Sequence, residues 1–364
     1  MDATRLDGIE SYPMPADVLR IVGPRRLAPL VPEATYARLA NLLEHVRFAA
    51  QTVCYEARLA PDDDRVDLAL CLFPGFDRVD RSCLRSLERR HGGDPAWMRC
   101  LQFLERWGQR GAALGAPVPF VWVAFDLDRG VSELPVPCLG VCANTRFFAE
   151  RLGAPPEPGP SGELEVLART CYGALHGAEY PERCQSLVAR CLAAHARPTH
   201  LSFMLGRSPA TFKLDVRVPS ARVGDLLRAV DFPDDAAAVQ RQLDELVPRE
   251  GHVQLNLVLH PSVAPPLEVE LFTAPRESGV CERLALLDRL IALGLCDPEK
   301  GEVLRRICNE PLIEGASAIG QSFYFKVRVQ NALPTEAKAY VGLMPRQRGR
   351  APFAWRSPAV PGVV

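Results

Sequence analysis

Charged and aromatic side chains recur at every second position in three short segments of the sequence. FKLDVR spaces Lys213, Asp215 and Arg217 in this way, FYFKVR spaces Tyr324, Lys326 and Arg328, and EAKAY spaces Glu336, Lys338 and Tyr340. Side chains alternate across an extended chain, so each triplet shares one face of a strand. Ammonium and guanidinium groups can hold an anion, ring faces can meet a cation, and a carboxylate can accept a proton. Trp122 in FVWVAF, Glu56 in CYEARLA and Glu270 in LEVELFT occupy alternate positions of the same kind.

The opposite faces of these segments are apolar. Phe212, Leu214, Val216 and Val218 oppose the first triplet, Phe323, Phe325, Val327 and Val329 the second, and Ala337, Ala339, Val341 and Leu343 the third. HVQLNLVLH repeats the pattern, with Val253, Leu255, Leu257 and Leu259 on one side and His252, Gln254, Asn256 and His260 on the other. Helical periodicity fills the intervals: 33–52, 80–114 with a break near HGGDP, further helices either side of the APPEPGPSG loop at 154–162, then 220–246 and 280–308. What repeats, five times, is a helical segment, two antiparallel strands and another helix. The hairpins are CYEARLA with VDLALCLF, FVWVAFDLD with LPVPCLGVCA across DRGVSE, LSFMLGR with TFKLDVRV across Ser208 and Pro209, HVQLNLVLH with LEVELFT across PSVAPP, and SFYFKVRVQ with EAKAYVG across NALPT.

Helices must bury their apolar stripes, and the apolar strand faces are the available partner. Ten antiparallel strands covered by helices on one side can stay an open sheet with the polar face in water, or close into a barrel with the polar face inside. The even spread of hairpins and the aromatic groups on the polar face favour closure. The expected fold is therefore α/β: a ten-stranded antiparallel β-barrel of five αββα repeats with helices outside. It occupies 33–344, between an irregular proline-rich segment at 1–32 and a flexible tail at 345–364.

The 43 basic side chains balance 44 acidic ones, so no global field would hold the chain on nucleic acid or an anionic membrane. No apolar run is long enough to cross a bilayer, and MDATRLDGIESYP lacks the basic start and apolar run of a signal peptide, which reads as a cytosolic protein. The 12 cysteines are scattered, and Cys138 and Cys142 lack a second pair at zinc-ligand spacing, so they read as reduced thiols without a metal. His252 and His260 share a face about 26 Å apart by strand rise, too far to share an ion. The acidic run at 62–64 reads as a hairpin turn. Phosphate-binding glycine loops, HExxH and GxSxG are absent.

Over 33–344 this architecture resembles the PT-barrel, or ABBA, aromatic prenyltransferases. EAKAY, FKVR and FKLDVR are similar to the strand patterns with which members of that family hold an allylic diphosphate. The resemblance implies transfer of an isoprenyl group to an aromatic small molecule or peptide side chain in natural-product biosynthesis. It implies Lys213, Arg217, Lys326, Arg328 and Lys338 around the diphosphate, Trp122, Tyr324 and Tyr340 shielding the allylic cation, and Glu56 as acid/base, with Asp215 and Glu270 as substitutes. No organic cofactor is needed; magnesium is compatible with the chemistry. The sequence departs from the family in two ways. Its first two hairpins lack the Lys-x-Tyr pattern, and the polar faces also carry Glu56, Asp67, Asp126, Asp215, Glu268, Glu270 and Glu336, which roughly cancel the cations. Two alternatives follow: a barrel that binds a peptide or metabolite by other chemistry, its charges paired as a structural network, and an open-sheet scaffold that dimerises through its polar face.

Overall fold

Alternation decides which way each strand faces, and it runs through all ten strands apart from register shifts at Pro198–His200, Asn256–Val258 and Pro334–Glu336. These are β1 (Thr52–Arg58), β2 (Val66–Leu72), β3 (Val121–Phe125), β4 (Cys138–Cys142), β5 (Arg197–Met204), β6 (Thr211–Pro219), β7 (His252–His260), β8 (Ser262–Leu271), β9 (Ile319–Gln330) and β10 (Leu333–Pro345). In the computed structural model each strand pairs antiparallel with its sequence neighbours, and β1 pairs with both β2 and β10, so the sheet closes. The open-sheet alternative is thereby excluded. The structure describes residues 14–48, 50, 52–72, 81–108, 118, 120–127, 134–142, 161–207, 211–248, 251–260, 262–271, 277–309 and 319–345.

The apolar core lies between the outer face of the barrel and the helices. Val53, Tyr55, Leu68, Leu70, Val123 and Phe125 are buried there with residues of the helices such as Leu39, Leu42, Trp97 and Leu104. The helix Pro95–Gly108 sets Trp97 within 6.4 Å of Phe125 between ring centroids, and the Trp107 indole N–H donates to the Val118 carbonyl at 2.9 Å. Burying these apolar side chains, aliphatic and aromatic, between sheet and helices favours the closed arrangement. The helix Ala236–Leu246 starts at Asp235, whose carboxylate accepts from the Ala237 and Ala238 amides. Among the described residues no helix is long and apolar enough to cross a membrane.

One buried lysine ties the last helix to the first hairpin. Lys300, in Pro298–Asn309, donates to the carbonyls of Arg58 at 3.2 Å, Ala60 at 2.9 Å and Asp63 at 2.7 Å. All three ammonium protons are used, across some 240 residues of chain. The acidic run at 62–64 is accordingly a turn, with Asp62 at φ 58°.

The structure corrects several boundaries. Residues 15–22 and 24–27 are helical where the sequence suggests none, because prolines at the first helical position start helices rather than break them and Val18, Leu19 and Val22 pack on the core. The first long helix ends at His45, not at 52. PSVAPP is largely strand: β8 begins at Ser262, and Pro265 and Pro266 fall at the irregularity opposite Asn256–Val258, where ladder hydrogen bonds are already interrupted. NALPT shrinks to a two-residue turn, Asn331 and Ala332, both with positive φ. The turns at 128–133 and 208–210, residues 154–160 of the proline-rich loop, and the tail beyond Pro345 lie outside the described residues.

Candidate active site

Strand register lines the polar side chains up in rows around the inner wall. In one row, direct cross-strand partners run Arg58, Lys338, Lys326, Glu270, Gln254 and Arg217, from β1 backwards to β6. In the adjacent row they run Glu336, Arg328, Glu268, Asn256, Asp215 and His200. A third brings Asp67, Glu56, Tyr340 and Tyr324 abreast.

The cations and carboxylates of these rows are joined. Lys213 Nζ lies 2.7 Å from Glu268, Lys326 Nζ 3.2 Å from Glu270 and 3.6 Å from Glu268, and Arg328 2.8 Å from Glu336 and 3.5 Å from Glu268. Lys338 Nζ lies 2.8 Å from Glu56 and 3.7 Å from Glu336, and Arg58 pairs with Asp67. Glu268 is the hub, within reach of three cations. Burial alone would raise its carboxyl, but Lys213, Lys326 and Lys338 outweigh burial and hold it well below the usual range. Glu56 is held well below its range in the same way, by Lys338, Lys326 and Arg58 against burial. Burial also lowers the affinity of Lys326 for its proton, yet Glu268 and Glu270 raise it overall.

Three carboxyls go the other way: burial, and then Glu56, push Asp67 up to about 7 against Arg58, and two others rise as well. Burial pushes Asp215 up to about 6, with Lys326 and Lys213 opposing, and burial likewise raises Glu270. Asp215 accepts from the Ser202 hydroxyl at 3.0 Å through Oδ2, while its Oδ1 has no hydrogen-bond partner among the described residues. Tyr324 and Tyr340 stack with centroids 4.6 Å apart and planes 8° from parallel, and Lys326 Nζ stands 5.0 Å from the Tyr340 ring centroid.

The rest of the inner wall is different in kind. From β1 to β4 it carries the small residues Ala69, Ala124 and Gly140 and the thiols Cys54, Cys71, Cys138 and Cys142, with Trp122 among them. Burial pushes all four thiols well above the ordinary range, Cys142 to about 12, so they act as small neutral groups. Trp122 lies against Gly140, where an added Cβ would meet the Trp122 Cβ at 3.2 Å.

Lys213, Lys326, Arg328 and Lys338 therefore share one network with Glu56 and Glu270, and Tyr324 and Tyr340 form its aromatic part. Arg217 stands further along its row, in register with Gln254 and Arg197; burial, and then Arg197, lower its affinity for its proton. Trp122 lies on the neutral side. Sequence reasoning missed Arg58, His200 and Ser202. Arg58 continues the alternation of Cys54 and Glu56, Ser202 lies between Leu201 and Phe203 within LSFMLGR, and His200 needed the third hairpin to start four residues earlier, at Arg197 rather than Leu201.

No protein-family model matches the sequence, and no curated protein matches it. Solved structures do. The chain superimposes on 5-dimethylallyl tryptophan synthase from Streptomyces coelicolor in complex with DMASPP and Trp with a TM-score of 0.53 at 16% identity, covering 94% of this chain and 97% of that one. For the prenyltransferase PriB in its apo form the TM-score is 0.52 at 15% identity, covering 90% and 96%. For NotF in complex with brevianamide F and DMSPP it is 0.51 at 11% identity, covering 90% of each chain. The fold is that of the ABBA prenyltransferases, a closed ten-stranded antiparallel barrel with helices outside.

Proposed function

We propose that the chamber transfers an isoprenyl group from an allylic diphosphate to an aromatic acceptor, a small molecule or a peptide side chain. The observation that carries this reading is the stacked Tyr324–Tyr340 pair with the Lys326 ammonium over one ring, inside a closed barrel. Ionising an allylic diphosphate needs cations for the departing anion and ring faces for the carbocation, with water kept out. Lys213, Lys326, Arg328 and Lys338 supply the cations, and Tyr324 and Tyr340 the ring faces.

The ion pairs do not use up the donors. Lys213 and Lys338 each make one hydrogen bond shorter than 3.0 Å to a carboxylate, and an ammonium has three protons. The Arg328 Nε–H is buried without a hydrogen-bond partner among the described residues. A diphosphate can take these spare donors, but it does so against the field of Glu268, Glu270 and Glu336. The same pairs favour a second reading, in which the network is structural and the chamber binds a metabolite or peptide by other chemistry.

Titration calorimetry with dimethylallyl and geranyl diphosphate separates the two. The transfer reading expects saturable heat with at least one donor, abolished in Lys326→Ala and Lys338→Ala variants that remain folded. No heat with either donor, and ligand behaviour unchanged in both variants, would leave the second reading.

A further inference from the structure

The early-strand carboxylate that the resemblance assigns to proton transfer is poorly placed for it. Glu56 is clamped by Lys338 at 2.8 Å, and the cations around it keep it ionised and weakly basic. Asp215 is unlike it in each respect. It takes the Ser202 hydroxyl at 3.0 Å and keeps one oxygen without a partner among the described residues, and burial, against Lys326 and Lys213, leaves it more basic than an ordinary aspartate.

Ser202 connects Asp215 to the neutral side of the chamber. Cross-strand partners run Cys71, Trp122, Gly140, Ser202 and Lys213, from β2 to β6. A Cβ on Gly140 would meet both Trp122 and, at 3.7 Å, the Ser202 hydroxyl oxygen, so these three groups adjoin on one face. Ala69, Trp122, Ala124, Gly140 and Ser202 are all partly exposed, whereas Lys213, Lys326, Lys338, Glu268 and Glu270 are buried. On this side the reachable wall is thus flat, neutral and apolar, with one hydroxyl at its edge, whereas on the ionic side the partly exposed groups include Glu56, Tyr324, Arg328 and Glu336.

We infer that this wall is the acceptor subsite: a planar aromatic carrying an O–H or N–H group lies along Trp122 and Gly140 with that group on Ser202, and Ser202 hands the proton to Asp215. The assignment rests on the transfer reading for its reaction. As the ring forms its bond to the allylic carbon, the heteroatom proton goes to the Ser202 oxygen and the Ser202 proton goes to Asp215 Oδ2. The electron pair of the breaking carbon–oxygen bond leaves with the diphosphate. Ser202 touches the acceptor; Asp215 acts through it.

The test uses 2-naphthol, a planar phenol whose emission distinguishes the neutral molecule from its anion, with no diphosphate present. The wild-type protein is expected to bind it saturably and to give naphtholate emission from the bound probe. Asp215→Asn and Ser202→Ala should still bind but lose the anion band, Asp215→Glu should restore it, and Gly140→Ala, which crowds Trp122, should weaken binding. Absence of saturable binding, emission from neutral naphthol alone in the wild type, or an anion band unchanged in both Asp215→Asn and Ser202→Ala would overturn the assignment. Because no donor is added, the outcome is independent of whether isoprenyl transfer occurs.

Discussion

The two sides of the chamber solve the problem of an enclosed interior in opposite ways. From β6 round to β1 the inner wall is ionic, with Glu268 alone reaching Lys213, Lys326 and Arg328. Apart from Glu56, Arg58 and Asp67 at one end, the inner wall from β1 to β4 is neutral, built from alanines, a glycine, un-ionised thiols and Trp122. Buried charges are tolerable only when paired and hydrogen-bonded, so the ionic side is tied to one arrangement. Small neutral groups make no such demands. The contrast suggests a division of labour: the ionic side governs an anion, and the neutral side accommodates a flat apolar body.

Removing the hub should break the comparison most severely. Glu268→Ala leaves the buried Lys213 and Lys326 and the partly exposed Arg328 short of a partner and should cost about 3–5 kcal/mol in chemical denaturation, whereas Cys142→Ala on the neutral side should cost about 1–2 kcal/mol. Equal losses would mean that the ion pairs are not the framework of their side.

The pH dependence should also divide. Glu56 and Glu268 lie below their ordinary value of 4.5, so their contribution to stability is complete above that pH and fades as the solution is made more acidic. Asp215 is raised from 3.8 to about 6, so the folded chain holds that proton more firmly than the unfolded one; its contribution is complete below 3.8 and is lost as pH rises through 6. Asp215→Asn should therefore gain stability relative to wild type between pH 5 and pH 7.5, by about 1–1.5 kcal/mol. Denaturation at both pH values reads the difference.

On the neutral side, Gly140→Ala presses a methyl group on Trp122 and should cost about 1–3 kcal/mol, with donor binding on the ionic side unchanged. Outside the chamber the smallest effect is expected at Ala332, whose φ of 60° strains a Cβ; Ala332→Gly should stabilise by about 0.5–1 kcal/mol in thermal melts.

Most of the barrel was legible because a half-buried strand writes its environment into the sequence at every second residue. Val253 to Leu259 and Phe323 to Val329 fix both the strands and their outward faces. The boundaries were less legible where proline misleads. Pro265, Pro266 and Pro334 read as breakers, yet they sit beside irregularities in the ladder where no amide is required. In the site, alternation correctly grouped Lys213, Lys326, Arg328 and Lys338 on inward faces. It could not show which carboxylate each one meets, because Glu268 reaches Lys213 and Arg328 across strands far apart in sequence. Nor could it distinguish Glu56 from Asp215, since both are acidic residues on inward faces, and it is the cations beside Glu56 that set it low and burial that sets Asp215 high.

The central claim, that the ionic side holds an allylic diphosphate against its own carboxylates, is tested most directly by the affinity of dimethylallyl diphosphate for Glu268→Gln beside the wild type. Removing one negative charge next to Lys213, Lys326 and Arg328 while keeping the shape should tighten binding about tenfold, provided the variant is folded. Weaker binding, or no binding by either protein, would contradict it.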